Sequence, residues 1–375
     1  MPVTIEEVKS RAQLRNFIRF PYQLYKDCPN WVPALEGDEF DTLDPERNGA
    51  FEYCEAALYI ALKDGRQAGR VSAIINHKAN AIWKEEIVRF GWLDFVDDSE
   101  VLAALMAKVE EFGRAHACTV MKGPWGFTDM DKEGLLVEGY DKLSPFTCLY
   151  NFPYYDTRLS ELGFVKDADW TQKVVKIEKE FPPMFRMAPT IKERFGLHMA
   201  SGKSMGDFVG RYGMPLFHLY NEAFAPLMQF TPLTDKQIKR YLQTYKAIMI
   251  PDFIAICLNE KEEPVGFTFC VPSLSKAVKK AGGRLFPFGF LHVLRALKHN
   301  DTVEALMIGV LPEYQGKGAN VLMFEHIHKN CIKRGISRMI LNPQLEENLK
   351  VQTLFEQYET EPFMRRRAYR KSILP

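Results

Sequence analysis

Residues 303–320 read VEALMIGVLPEYQGKGAN, an apolar run, a proline-bearing turn and two glycines one residue apart. Gly316 and Gly318 let the backbone approach a ligand closely, and the helix that follows offers unpaired N–H groups to an anion. Strand, tight glycine turn and helix N-terminus together make a phosphate cradle; the same residues also serve as an ordinary strand-to-helix turn. Other constellations fail on spacing. Residues 201–204 read SGKS, but a phosphate-binding loop would need glycine at 197, where Leu197 stands. His326 and His328 are two apart on a helical pattern and face different ways, which makes them poor metal ligands. Arg365, Arg366, Arg367, Arg370 and Lys371 divide between the faces of a strand and read as mostly solvated cations, one of which could reach a phosphate.

The elements that position the glycine turn follow from periodicity. Residues 305–310 are strand-like, and Val321, Phe324, Ile327 and Cys331 share one helical face. Ahead lie helices over 214–224 and 235–245, the second capped by Thr234, and a hairpin of 253–258 and 265–271. Behind lie a strand at 338–341, a helix over 347–358 with Val351, Leu354, Phe355 and Tyr358 on one stripe, and a strand at 363–373. The first half repeats this order. A helix over 5–25 is expected to break at Pro21, and an extended loop follows. Next come a hairpin of 57–62 and 69–75 around Asp64-Gly65 and a strand at 89–95. Asp98 or Ser99 caps the next helix, which carries Val101, Leu105, Val109 and Phe112. A strand at 118–121, a helix over 154–162 and a strand at 170–177 complete the half. The pattern is α/β (α+β), each half a mixed, mostly antiparallel sheet flanked by helices. A charged, proline-rich linker at 178–189 divides a domain over 1–180 from one over 190–375. Gly69 and Gly266 are matched across the halves, as are Asn151 and Asn348.

Composition bounds the class. A chain of 375 residues with 46% hydrophobic residues and 27 Phe can fill two cores. A net charge of +1 gives no general attraction to nucleic acid or acidic membranes. Seven cysteines without a C-x-x-C pair argue against a disulfide framework or a zinc site. The acidic N-terminus lacks a signal peptide's apolar run, and no uncharged stretch reaches membrane-span length. The expectation is a soluble, cytoplasmic protein.

The residues resemble the GNAT superfamily of N-acetyltransferases. There, a hairpin leads into a strand followed by a Q/R-x-x-G-x-G/A loop whose amides hold the coenzyme A pyrophosphate. Here that loop is Gln315, Gly316, Lys317, Gly318, Ala319 and Asn320; Gln315 and Gly318 fit, and Asn320 departs from the final position. The family's N-x-x-A-x-x-L-Y helix appears as Asn348, Val351, Leu354 and Phe355. The first half resembles the fold without the loop, since Phe95, Val96, Asp97 and Asp98 stand where the motif should be and two carboxylates would repel a phosphate. The whole chain is similar to a two-domain GNAT-like group of unassigned substrate, with tracts such as KGPWGFTD and NFPYYD.

The resemblance implies acetyl-CoA or another acyl-CoA as co-substrate, no metal, and acyl transfer to a small-molecule or peptide amine. It places Met307, Ile308, Gly309 and Val310 along pantetheine, with Asn348 in the same coenzyme site, and makes Glu304 a candidate base; the plain alternative for Glu304 is a solvated strand-end carboxylate. Phe355 stands where these enzymes often use a tyrosine as acid. Tyr358 and Tyr369 are the substitutes, each with a plain reading as core or surface tyrosine. Two other readings stand beside transfer: a non-catalytic acyl-CoA sensor, and a tRNA-dependent aminoacyl transferase. The near-zero charge and the retained loop disfavour the last. The insertion at 276–300 either walls the acceptor pocket or packs as ordinary core.

Overall fold

The computed structural model describes residues 2–202 and 204–373, so Lys203 of the SGKS tetrad lies outside the described residues. β1 (Thr4–Glu7) precedes α1 (Arg11–Leu24), which starts at a capping box: Gln13 N donates to Ser10 Oγ, and Ser10 N donates to the Gln13 side chain. Pro21, expected to break this helix, sits inside it. A proline has no N–H for the carbonyl four residues back, and that carbonyl, Phe17 O, accepts from the Arg70 guanidinium at 2.9 Å instead. α2 (Glu36–Thr42) occupies part of the expected loop. β2 (Cys54–Lys63) and β3 (Arg66–Asn76) form the hairpin, and Asp64 and Gly65 take φ of +54° and +71°, a turn whose twist matches that of the strands. α3 (His77–Trp83), β4 (Ile87–Phe95), α4 (Ser99–Ala115), β5 (Val120–Gly123), β6 (Leu135–Glu138), α5 (Tyr154–Glu161) and β7 (Val165–Lys176) follow.

The expected linker is partly ordered: it holds a 3-10 turn at Pro183–Met187 and runs into α6 (Ala188–Phe195), which buries Ala188 and Ile191. β8 (His198–Met199), α7 (Met205–Phe224) and α8 (Asp235–Lys246) come next, with Thr234 capping α8 as read. The second hairpin is β9 (Ile254–Leu258) and β10 (Pro264–Pro272). Two helices in the insertion, α9 (Ser275–Lys280) and α10 (Gly289–Lys298), lead to β11 (Thr302–Val310) and α11 (Ala319–Arg334). β12 (Arg338–Ile340), β13 (Gln344–Leu345), α12 (Leu349–Gln352) and β14 (Thr360–Ser372) end the chain. The long helix expected over 347–358 is not there. One α turn gives way to a 3-10 turn at Thr353–Phe355, because Phe355 is drawn onto α11, where it stacks on Phe324 at 5.1 Å, and the Gln352 amide ties back to Leu345 O and Glu346 O.

Two compact units form, and each draws on separated stretches. The first comprises Met1–Trp170, Ser275–His292 and Met364–Pro375; the second comprises Thr171–Leu274 and Val293–Phe363. In the first, strands run β1-β2-β3-β4-β5-β14, antiparallel except for β4 with β5. α4 lies so close to this sheet that a Cβ on Gly69 would sit 2.8 Å from Leu105. In the second, the end of β7 is followed by β12-β11-β10-β9-β8, with only β11 and β12 parallel. α11 packs on it through Leu322, Met323, Ile327 and Cys331. The repeat is visible in register: Gly69 lies opposite Phe95, the last residue of β4, and Gly266 opposite Val310, the last of β11.

Candidate active site

The second unit holds an opening in its sheet. β11 pairs with β12 only over Thr302–Glu304, ending at Glu304 opposite Ile340. Beyond that point the edge of β11 facing away from β10 has no strand partner among the described residues, so backbone groups on that edge stay available along Ala305–Val310, save Val310 O, which accepts from the Gln315 side chain. A bulge helps: β10 Phe269 faces Met307 and Cys270 faces Ala305, leaving Leu306 as the extra residue. Glu304, at the fork, is 2% exposed, and Ser273 Oγ donates to its Oε1 at 2.6 Å. Burial rules out the plain reading of a solvated strand-end carboxylate.

The glycine turn closes the same strand. Pro312–Tyr314 form a 3-10 turn, Gly316 and Gly318 take φ of +75° and +85°, and Gly318 is the N-cap of α11 with no side-chain cap. The amides of Gly316, Gly318, Ala319 and Asn320 donate to no protein group among the described residues. The two glycines differ in what demands them. A Cβ on Gly318 would lie 2.5 Å from Ile191, whereas one on Gly316 would meet open space. Gln315 Nε2 reaches back to Val310 O at 3.3 Å, and the Lys317 ammonium lies 4.8 Å from the Tyr314 ring centre. Free amides, a helix N-terminus and a lysine fit a diphosphate.

The first unit supplies an internal control. Its β4 runs into α4 through Val96, Asp97 and Asp98, and the Asp98 carboxylate accepts from Glu100 N and Val101 N while also pairing with Lys63. A side-chain anion thus occupies the helix N-terminus. The strand end is plugged as well: Phe95 N donates to Tyr155 Oη at 3.1 Å, and Tyr154 Oη donates to Phe95 O. Tyr155 Oη is itself 2.7 Å from Tyr25 Oη, which donates to Asp94. Where the second unit leaves its strand end and helix start open, the first fills both from within.

Other expected site residues lie elsewhere. Asn348 caps α12 by accepting from Val351 N. Tyr358 packs among Phe185, His328 and Phe355, and burial pushes its hydroxyl well above the usual range. Tyr369, 1% exposed, belongs to the first unit, where it donates to Asp156 at 2.5 Å. The basic run of β14 is the solvated patch expected only in part: Arg370 is exposed, but the three arginines before it are engaged. Arg365 and Arg367 both bind the Asp169 carboxylate, and Arg366 is buried with a hydrogen bond to Leu149 O. Spacing alone could not reveal these partners.

Two features had no sequence signal. The second unit contains an apolar cavity lined by Phe208, Leu216, Leu242, Met249, Phe269 and Met307, with exposed Lys246 on its solvent side. In the first unit, burial and then the Asp129 carboxylate push the Glu133 carboxyl up to about 8. The folded protein therefore holds this proton while the unfolded chain loses it from about pH 4.5 upward, so Glu133 lowers stability progressively as pH rises from about 4.5 to 8. Glu133→Gln removes the penalty. Its stability relative to wild type should rise by on the order of 1–3 kcal/mol between pH 5 and pH 8, read from urea midpoints. An equal difference at both pH values would show that Glu133 is already ionised.

The fold is that of the GNAT N-acetyltransferases, in its tandem form, with the open cradle in the second unit. Among solved structures, the chain is similar to a tandem GNAT protein from the clavulanic acid biosynthesis pathway, with TM-score 0.57 and 11% identity over 100% of this chain and 99% of that one. A GNAT acetyltransferase from Sphaerobacter thermophilus matches with TM-score 0.52 and 12% identity, covering 100% of this chain and 96% of the other. Among known sequences, protein YghO of Escherichia coli is 25% identical over 97% of this chain and 94% of its own length. A bacterial ceramide synthase of Caulobacter vibrioides is 25% identical over 99% of this chain and 98% of its own. No protein-family model matches.

Proposed function

We propose that the protein is an acyl-CoA-dependent N-acyltransferase that moves a long apolar acyl group to an amine. The observation that carries this is the juxtaposition on β11 of the unpartnered strand edge, Glu304 at its fork, the open amide cradle at its end and the apolar cavity beside Met307. The cradle amides and Lys317 hold the diphosphate of the co-substrate, and the freed backbone of Met307–Val310 orients pantetheine and polarises the thioester carbonyl. Glu304 takes the proton that the attacking amine gives up as its C–N bond forms. The C–S bond breaks, and the thiolate leaves to be protonated. A hydrocarbon tail suits the cavity, whose apolar wall would leave a polar group unsatisfied; at about 40 Å³ it takes a long chain only as its side chains move apart. The ceramide synthase relative points the same way, since a ceramide joins a fatty acid to a long-chain amino alcohol through an amide. A long-chain amino alcohol is therefore the acceptor to try first.

Calorimetry with coenzyme A, then thiol release with acyl chains of two to eighteen carbons across an amine panel, tests the reading. Rates should favour long chains. Val209→Trp, placed in the half-buried cavity wall, should cut long-chain turnover by about tenfold or more while sparing acetyl transfer, because added bulk excludes ligand atoms from a packed wall. No binding at millimolar coenzyme overturns the proposal. Binding without thiol release on any amine favours the sensor reading.

A further inference from the structure

We propose that residues 285–298 dock the protein on an anionic lipid bilayer. From residue 284 through 300 no residue is buried, although the stretch holds Leu285, Phe286, Phe288, Phe290, Leu291 and Leu294. Phe286 is 81% exposed, Phe288 72%, Leu291 52% and Leu294 49%. These four of the chain's most exposed large apolar side chains fall within nine residues, which excludes the expectation of ordinary core packing here. α10 buries nothing along its length, and its exposed side alternates Leu291 and Leu294 with Arg295 and Lys298. Such a face sinks its leucines below lipid headgroups while the long cationic side chains reach back to the phosphates.

Charge identifies the occupant. Between 273 and 300 the chain carries Lys276, Lys279, Lys280, Arg284, Arg295 and Lys298 and no aspartate or glutamate. That segment contributes +6 to a chain whose net charge is +1, so the remainder nets −5. The near-neutral total, which gave no expectation of membrane affinity, averages this cationic segment with an anionic remainder, and Lys276, Lys280, Arg295 and Lys298 are its exposed cations outside the base contacts. A cationic segment with exposed phenylalanines complements anionic headgroups above an apolar layer. Its base is firmly held within the first unit: Lys279 Nζ donates to Cys28 O and Trp31 O, Glu36 N donates to Gly283 O, and Arg284 pairs with Glu36. A Cβ on Gly283 would sit 2.5 Å from Ala34 O, so this glycine is required by the close fit. Phe286 and Phe288, in the same unit, are thus presented from a fixed base.

The docking does not depend on acyl transfer and is tested without it. The purified full chain is sedimented with vesicles of phosphatidylcholine alone or with about one quarter phosphatidylglycerol, and its self-association is followed by sedimentation velocity. Wild type should partition onto the anionic vesicles, and more weakly as salt rises. The double variant Phe286→Ser/Phe288→Ser should lose at least about tenfold in partitioning, and Arg295→Glu/Lys298→Glu should abolish the preference for phosphatidylglycerol. All four positions are exposed, so folding is preserved, and circular dichroism verifies it. Absence of vesicle binding by wild type overturns the proposal, as does binding that both variants retain. A dimer that the phenylalanine variant dissolves, without vesicle binding, assigns the surface to a second copy and overturns it too.

Discussion

Glu304→Gln should lower kcat by about 10²–10⁴-fold with little change in coenzyme affinity. The substitution keeps the shape of the side chain and its Oε1, so Ser273 Oγ can still donate to it as it does at 2.6 Å in the native protein. What disappears is a group able to take a proton. Because Glu304 is 2% exposed and stands where β11 and β12 part, bulk water cannot replace it at the fork. Coenzyme affinity should hold while single-turnover acyl transfer slows, whereas a purely structural role would weaken both. Ser273→Ala supplies the graded control. Losing one hydrogen bond to the carboxylate should cost about 1.5–3 kcal/mol of orientation, or roughly ten- to a hundredfold in kcat. If Glu304→Gln turns over at the wild-type rate, the proton goes elsewhere and Glu304 merely closes the sheet.

The elements around this site were legible because their signals are local. The apolar runs of β10 and β11, the glycine pair and the face of α11 need no knowledge of distant partners. Asp98 was readable as a cap, and its consequence for phosphate binding in the first half followed from charge alone. Legibility failed where tertiary contacts decided the outcome. Phe355 and Tyr358 carry a helical stripe, yet packing on Phe324 and His328 converts that segment into a turn. Asn151 and Asn348, matched by position, do different work: Asn151 accepts from Leu136 N and donates to Leu136 O, while Asn348 caps α12. Arg366 needed Leu149 O to be buried, and no spacing rule foretells that partner. The insertion was misread for another reason. A run of Phe and Leu implies burial only if some surface exists to receive it, and the structure supplies none for Phe286 or Phe288.

The cradle itself is best tried by a pair of substitutions with opposite consequences. Gly318 is a poor choice, since any side chain there strikes Ile191 and lost binding would be confounded with lost packing. Gly316 has φ of +75° and open space beyond its missing Cβ. Asn and Asp both tolerate that backbone region better than other residues and have nearly the same shape. Gly316→Asp places a carboxylate just ahead of the α11 N-terminus, where the helix dipole should make it about 0.3–1 kcal/mol more stable than Gly316→Asn. Against a diphosphate the same charge is repelled by about 3 kcal/mol at ~5 Å and an effective dielectric of ~20, roughly a hundredfold in Kd. The expected result is therefore a variant that melts slightly higher than its Asn counterpart and binds coenzyme A far more weakly. Equal affinity in the two variants would mean that no phosphate sits against this loop, and the open amides of Gly316, Gly318, Ala319 and Asn320 would need another ligand.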